Sequence, residues 1–346
     1  MRRRLPVMLV AMSMLLLALP AAASAGSGSW VRDRCGHLAG AVRGADAKYR
    51  LVTEPQAGYK PAYRFISSAC KTLDMTMYSL IDPAATAALI ADARRGVAVR
   101  VLLDSTSGNK AANQPAYDDL KAHGVKVRWA WSGVLWHQKS MVRDSRAVAI
   151  MSCNLNAAYY PVIRGWIVIT DKPATVAGVE ATFNADFRHN HKPPSRGVVP
   201  RGSQLIWSPG AQRPLVKLIG SARRGTTLYA EDEQLDSAAI DQALIAAVRR
   251  GVTVDLTMTA NPDWTAAFNT LVAGGVHVSL YTPTAPLYIQ SKAISVNGRT
   301  VYVGSINFTT AMMQADRNMG IITGDPTVVR GITATMARDF TGAAPY

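Results

Sequence analysis

The sequence predicts an α/β fold built from two similar halves, each a mixed β-sheet flanked by helices, related by a pseudo-twofold axis with one site between them. Three observations carry this expectation. The succession of patterns from Tyr63 to Phe187 returns from Pro214 to Phe340. Short β-branched runs alternate with helical spacing in both copies, and each copy contains the same polar signature with the same internal spacing.

The chain opens with Arg2, Arg3 and Arg4, an apolar run from Leu5 to Leu19, and AAASA. That order predicts a secretory signal peptide over 1–25, cleaved after Ala25, and hence a secreted protein. An uncleaved membrane anchor is the competing reading, and the short apolar core argues against it. No later run is long and apolar enough to span a bilayer. Cleavage removes three arginines and lowers the formal net charge from +15 to +12. The remaining basic balance suits an anionic partner such as phospholipid, nucleic acid or cell-wall polymer without choosing among them.

Each half then reads as strand, helix, Arg-Gly-Val, strand. In the first, LDMTMYSL precedes AATAALIADARRGVAVRVLLD; in the second, TTLYAEDEQL precedes SAAIDQALIAAVRRGVTVDLTMT. The spacing of Ala88, Leu89 and Ala93, and of Ala243, Leu244 and Ala247, marks helices with one buried face, while VAVRVLL and VTVDLTM are buried strands. Gly96 and Gly251 are placed to end those helices. A second helix-to-strand unit ends at HGVKVRW and GGVHVSLY, the signature strands follow, and a final helix closes each half near Phe187 and Phe340. The Pro-, Gly- and Arg-rich stretch from His189 to Ser203 reads as a bare linker carrying the clustered pair His189 and His191. The expected organisation is therefore a first half over 26–188, a linker over 189–211 and a second half over 212–346.

Export permits disulfides. Cys153 lies between Ser152 and Asn154 on a strand, so alternation turns it into the core if those neighbours face a site; Cys35 and Cys70 are then the expected pair, with three free buried thiols as the alternative.

The first signature is HQKSMVRD followed by MSCN, holding His137, Lys139, Asp144, Ser152 and Asn154. Its counterpart is QSKAISVN followed by GSIN, holding Gln290, Lys292, Asn297, Ser305 and Asn307. Cleaving a phosphodiester without a metal needs a nucleophile, cationic donors for the non-bridging oxygens and an acid for the leaving alcohol. A neutral imidazole at His137 suits attack, and Lys139, two residues on, projects to the same side of a strand. Lys292 mirrors it. Ser152, Asn154, Ser305 and Asn307 offer hydroxyls and amides to the same oxygens, and Asp144 is a carboxylate that could orient the group.

The pattern His-x-Lys, Asp, then Gly-Ser-x-Asn, present twice, resembles the phospholipase D superfamily. The resemblance implies two phospholipase D-like halves meeting at one site, a phosphohistidine intermediate, and no metal or other cofactor. It implies a phosphodiester hydrolase or transferase, with His137 as nucleophile, Lys139 and Lys292 on phosphate, Asp144 as the signature acid, and the serines and asparagines as phosphate ligands. Phospholipid is favoured over nucleic acid as partner, which points to lipid degradation with peripheral contact to a membrane surface, and a monomer is expected. A ligand-binding pseudoenzyme and a nuclease are the alternatives.

The departures are as informative. Gln290 and Asn297 stand where a second histidine and aspartate belong, and Met151 replaces the first glycine of Gly-Ser-x-Asn. Family members often carry Asn-Arg-Glu after each signature; Arg164 and Arg317 keep the arginine, whereas Gly165 and Asn318 occupy the glutamate positions. Gln290, Asn297, Gly165 and Asn318 together read as lost acid-base function. Glu231 and Glu233, ending the second half's first strand, are carboxyls that could replace the missing acid or merely cap the following helix. Trp129, Trp131 and Trp136, with Tyr281 and Tyr288 opposite, read as core aromatics ahead of the alternative of a groove for lipid chains or nucleobases.

Overall fold

The computed structural model describes residues 49–346. The expected signal peptide and Cys35 lie outside that range. In the first half β1 (Tyr49–Glu54), α1 (Lys60–Ser67), β2 (Thr72–Met77), β3 (Leu80–Ile81), α2 (Pro83–Arg94), β4 (Ala98–Leu103), α3 (Ser107–Ala122) and β5 (Lys126–Trp129) are followed by β6 (Ser140–Arg143), β7 (Ala147–Met151), β8 (Leu155–Asn156), β9 (Ile163–Thr170) and α4 (Pro173–Arg188). The second half repeats this as β10 (Leu205–Ser208), α5 (Gln212–Gly220), β11 (Thr227–Glu231), α6 (Ala238–Arg249), β12 (Thr253–Thr259), α7 (Thr265–Ala273) and β13 (His277–Tyr281). It closes with β14 (Tyr288–Ile289), β15 (Ala293–Val296), β16 (Thr300–Gly304), α8 (Thr310–Gln314), β17 (Asn318–Thr323), α9 (Pro326–Gly342) and β18 (Ala344–Pro345).

Each half carries a mixed sheet, as the alternating patterns require. The first runs β1-β9-β7-β6-β2-β4-β5 and the second β10-β17-β16-β15-β11-β12-β13-β18. In both, the strands joined by helices are parallel, and the signature hairpin, β6–β7 or β15–β16, adds antiparallel to their edge. Helix ends follow the sequence signals: Asp82 accepts the Ala84 N–H at the start of α2, and Gly96 and Gly251 follow α2 and α6 with φ of 87° and 83°. Those left-handed angles are cheap only for glycine.

Each half has its own apolar core. A third core lies between the halves, built from Val148, Ile150 and Trp166 of one with Val301, Val303 and Met319 of the other, and covered by Val176, Val179, Val328 and Ile332 of the terminal helices. Burial of this kind stabilises by about 25 cal/mol per Å² of apolar surface, so the two halves form one body.

The stretch read as a bare linker is instead built into the fold. Leu205–Ser208 pairs with Asn318–Thr323 as the edge strand of the second sheet. Ahead of it the Ser195 N–H donates to Asp186, the Val198 N–H to Thr182, and the Trp207 indole to the Val198 carbonyl. Pro and Gly signal turns, but they say nothing about what a turn packs against. His189 follows α4 and, like His191, is exposed. Cys153 is free and buried, as alternation requires, and Cys70 is disulfide-bonded. Among the described residues no helix is long and apolar enough to cross a membrane.

Candidate active site

The segment leading into each signature strand leaves its own half and pairs with the other. Trp136 bridges Arg317 in parallel, the Leu135 N–H donates to Asp316, and the Arg317 N–H donates to the Leu135 carbonyl. On the other side of the pseudo-twofold, Tyr288 and Ile289 pair with Ile163 and Arg164, and the Gln290 N–H donates to the Arg164 carbonyl. His137 is thereby carried beside Asn318, and Gln290 beside Gly165.

Those two positions now differ in chemistry. His137 is 5% exposed, and its Nδ1 lies 2.9 Å from the Ser305 carbonyl and 3.0 Å from Asn318 Oδ1. Both partners are acceptors, so Nδ1 carries the proton and Nε2 keeps its lone pair. The Asn318 amide is fixed in that sense, because its Nδ2 donates to the Met312 carbonyl and the Ser305 hydroxyl donates to its Oδ1. Burial, then the charges of Lys139 and Lys292, push the His137 proton affinity well below the ordinary histidine value and keep the ring neutral. Asn318, which by sequence reads as a lost carboxylate, therefore does the orienting work of one. At the equivalent place Gly165 offers nothing to Gln290, whose buried Oε1 has no partner in the protein. A side chain at 165 would start 2.9 Å from the Cys153 Cβ.

Lys139 and Lys292 are both fully buried, which is rare for lysine. The Lys139 ammonium donates to the His137 carbonyl at 2.8 Å and lies 5.0 Å from the centre of the Tyr78 ring, whose edge also meets His137. The Lys292 ammonium donates to the Gln290 carbonyl at 2.6 Å and to Glu233 at 2.6 Å. Burial and the nearby Lys292 charge lower the Lys139 proton affinity. Two cations this close in a dry setting form a receptor for an anion.

The second half of each signature runs alongside its lysine: the Met151 N–H donates to the Lys139 carbonyl and the Gly304 N–H to that of Lys292. Asn307 is fully buried with neither amide atom partnered, and Asn154 Oδ1 is likewise orphaned. An orphaned buried polar atom costs about 1–3 kcal/mol, and of these three only the Asn307 Nδ2 is a donor that a phosphate oxygen could satisfy. The serines are otherwise engaged. Ser152 Oγ accepts the Trp166 N–H and Ser305 Oγ accepts the Met319 N–H, so each serine holds a neighbouring strand.

Asp144 and Asn297 also depart from expectation. Both take left-handed backbone angles, φ 54° and 57°, in the turn of the signature hairpin. The Asp144 carboxylate accepts the N–H groups of Cys70, Lys71 and Thr72, fixing the start of β2. Asn297 Oδ1 accepts from the Arg223 N–H and the Thr226 hydroxyl. Asp144 thus holds a turn, and the Asn297 substitution keeps the acceptor its turn uses.

The two arginines tie the halves together reciprocally. Arg164 pairs with Asp339 of α9, and Arg317 with Asp186 of α4, all four buried. Met151 is explained by its neighbour: Gly304 faces Gly320 so closely that a Cβ would lie 2.4 Å from backbone, whereas Met151 faces Ile167 inside the first core. Trp136 is core, donating its indole N–H to the Trp131 carbonyl, and Trp129 stacks on Tyr117. Tyr281 donates to the Asp339 carbonyl; Tyr288 donates to Glu233 and so belongs to the site wall.

The family model described as "Cardiolipin synthase, PLD-like domain" matches residues 63–187 and 215–340. Among solved structures, a polyphosphate kinase from Porphyromonas gingivalis superposes with a TM-score of 0.65 at 16% identity, over 84% of this chain and 46% of that one. A phosphatidylserine synthase from Haemophilus influenzae Rd KW20 superposes with a TM-score of 0.62 at 12% identity, over 84% of this chain and 85% of that one. Among curated proteins no sequence matches significantly.

Proposed function

Because this chain belongs to the phospholipase D-like family, we propose that it is an exported phosphodiesterase or phosphatidyl-type transferase that works through a phosphohistidine on His137. One observation carries the reading: the His137 Nδ1 proton is shared between two acceptors, one of them Asn318 from the opposite half, which leaves Nε2 as a neutral nucleophile beside two buried lysines. In the first step Nε2 attacks phosphorus and the bond to the leaving alcohol breaks, with Lys139 and Lys292 holding the non-bridging oxygens. Water or a second alcohol then attacks phosphorus and frees the imidazole.

Phospholipid is the favoured substrate class. The cardiolipin synthase description of the matching family model and the basic balance of the chain support it. Export is supported by the leader pattern and by the disulfide at Cys70. The test is turnover of anionic and zwitterionic phospholipid vesicles and of single-stranded DNA by wild type and His137→Ala. Phosphodiester cleavage that His137→Ala loses supports the reading, lipid before DNA fixes the class, and cleavage that survives the substitution overturns it.

Gln290 favours a second reading, a protein that binds the phosphate group without turning it over, because glutamine cannot protonate an alkoxide near neutral pH. Binding to vesicles that depends on Lys139 and Lys292, with no product formed, is its signature.

A further inference from the structure

We propose that Glu233 performs the proton transfers that the residue at 290 no longer can, protonating the leaving alcohol in the first step and accepting a proton from water in the second. The inference rests on His137 as nucleophile and deepens that reading.

The strand registers place Glu233. Met75 pairs with Met141 in the first sheet and Ala230 with Ile294 in the second. Met141 and Ile294 stand at the same distance beyond Lys139 and Lys292, so Met75 and Ala230 are equivalent, and so are Tyr78 and Glu233. Tyr78 lies against His137, ring centres 4.8 Å apart, and under the Lys139 ammonium. Glu233 therefore holds the matching place on the side of Gln290, and its carboxylate is 2.6 Å from Lys292 Nζ. Glu231, the other carboxyl ending this strand, is fully buried beside Asp339, Arg164 and Ser291 at the interface between the halves.

Access separates them further. The Glu233 side chain is 20% exposed, while Lys292 is 0% exposed. Glu233 thus reaches solvent, which the fully buried Glu231 does not. The groups facing it are Lys292, Lys139, Asp232, Tyr78 and Tyr288. In the free protein its cationic partner is the Lys292 ammonium. A phosphodiester anion bound to that ammonium would lie beside the Glu233 carboxyl.

The steps balance. The N–P bond to His137 forms, the P–O bond to the leaving group breaks, and the Glu233 proton passes to the departing oxygen to give a neutral alcohol. Water then forms a new O–P bond, the N–P bond breaks, and the water proton returns to the Glu233 carboxylate.

The test compares two substrates, a dialkyl phosphodiester with a poor leaving group and its p-nitrophenyl counterpart with a good one. Glu233→Gln is expected to slow the alkyl ester by about 100- to 10,000-fold and the aryl ester's first step by less than about tenfold. Phosphoryl label should accumulate on His137 from the aryl ester, and Glu233→Asp should recover part of the alkyl rate. Thermal unfolding of each variant reports whether it folds. Equal losses on both esters, with label failing to accumulate, would make Glu233 only a holder of Lys292 and overturn the proposal, as would an alkyl rate unchanged within about threefold. Wild-type protein that cleaves neither ester and labels no His137 removes the underlying nucleophile reading, and this inference with it.

Discussion

At the scale of single residues, the signature separates into side chains buried around His137 and groups that hold the backbone which presents them. His137→Ala should abolish turnover while leaving the unfolding midpoint nearly unchanged. Asp144→Ala should do the reverse: three backbone N–H groups lose their acceptor in a turn with φ 54°, at a cost of about 1–3 kcal/mol, while folded protein keeps its rate. Denaturant titration beside a turnover assay reads both. Asn318→Ala should lower kcat by about 10- to 100-fold, since the Ser305 carbonyl still holds the Nδ1 proton but with less control of the ring. The pH profile follows from burial and from two neighbouring ammonium groups. Protonated His137 cannot attack, and its proton affinity lies well below the ordinary value, so the rate should not fall as pH drops through 6.5. A steady-state profile with an acid limb near that value would contradict the neutral, dry imidazole. Spacing drew attention to His137, Lys139 and Lys292, and the structure buries the three near one another. Spacing did not reveal that Asp144, Ser152 and Ser305 accept backbone N–H groups, because whether a polar side chain meets a neighbouring strand's backbone depends on contacts that no local pattern records.

At the scale of elements, the central device is a strand lead-in that crosses to the opposite half, met there by an arginine anchored on the first half's terminal helix. Asp339 lies 175 positions from Arg164 and Asp186 lies 131 from Arg317. Such partners are invisible to sequence reading, although the arginines themselves stand out by their place after each signature. Removing one partner leaves a buried guanidinium unpaired, so Asp339→Ala and Asp186→Ala should each cost about 3–5 kcal/mol. Replacing Arg164 and Asp339 together by Met and Leu should restore most of it; chemical denaturation of the single and double variants measures the difference. The helices and parallel strands were legible because each carries its own period and cap. The strand Leu205–Ser208 was not, because it is short and sits among the turn-forming residues that made the stretch look like a linker.

At the scale of the whole molecule, two copies of one pattern predict two similar halves, each with its own sheet; both sheets are present, and the structure adds a third core between them. What duplication hides is how far the two copies have diverged in chemistry. The first half also stores a buried carboxyl. Glu54 is fully buried and burial pushes its proton affinity up to about 7, from an ordinary value of 4.5. A group raised in this way contributes stability that is complete below 4.5 and is lost as pH rises through about 7. Glu54→Gln, which imitates the protonated form, should therefore be more stable than wild type at pH 8 by about 3 kcal/mol, with the gap closing towards pH 5. Melting curves across that range test the sign. The proposed mechanism gives the molecule a two-sided phosphate receptor and a one-sided nucleophile, with Asn318 beside His137 and no corresponding pair at Gly165 and Gln290. The most direct test of that asymmetry is acid-quenched mass spectrometry of the wild-type protein mixed with a phosphodiester. We expect a phosphoryl adduct on His137 that forms within a turnover, persists in Asp144→Ala and is absent from His137→Ala. Turnover with no adduct at His137, or an adduct on any other side chain, would contradict the account.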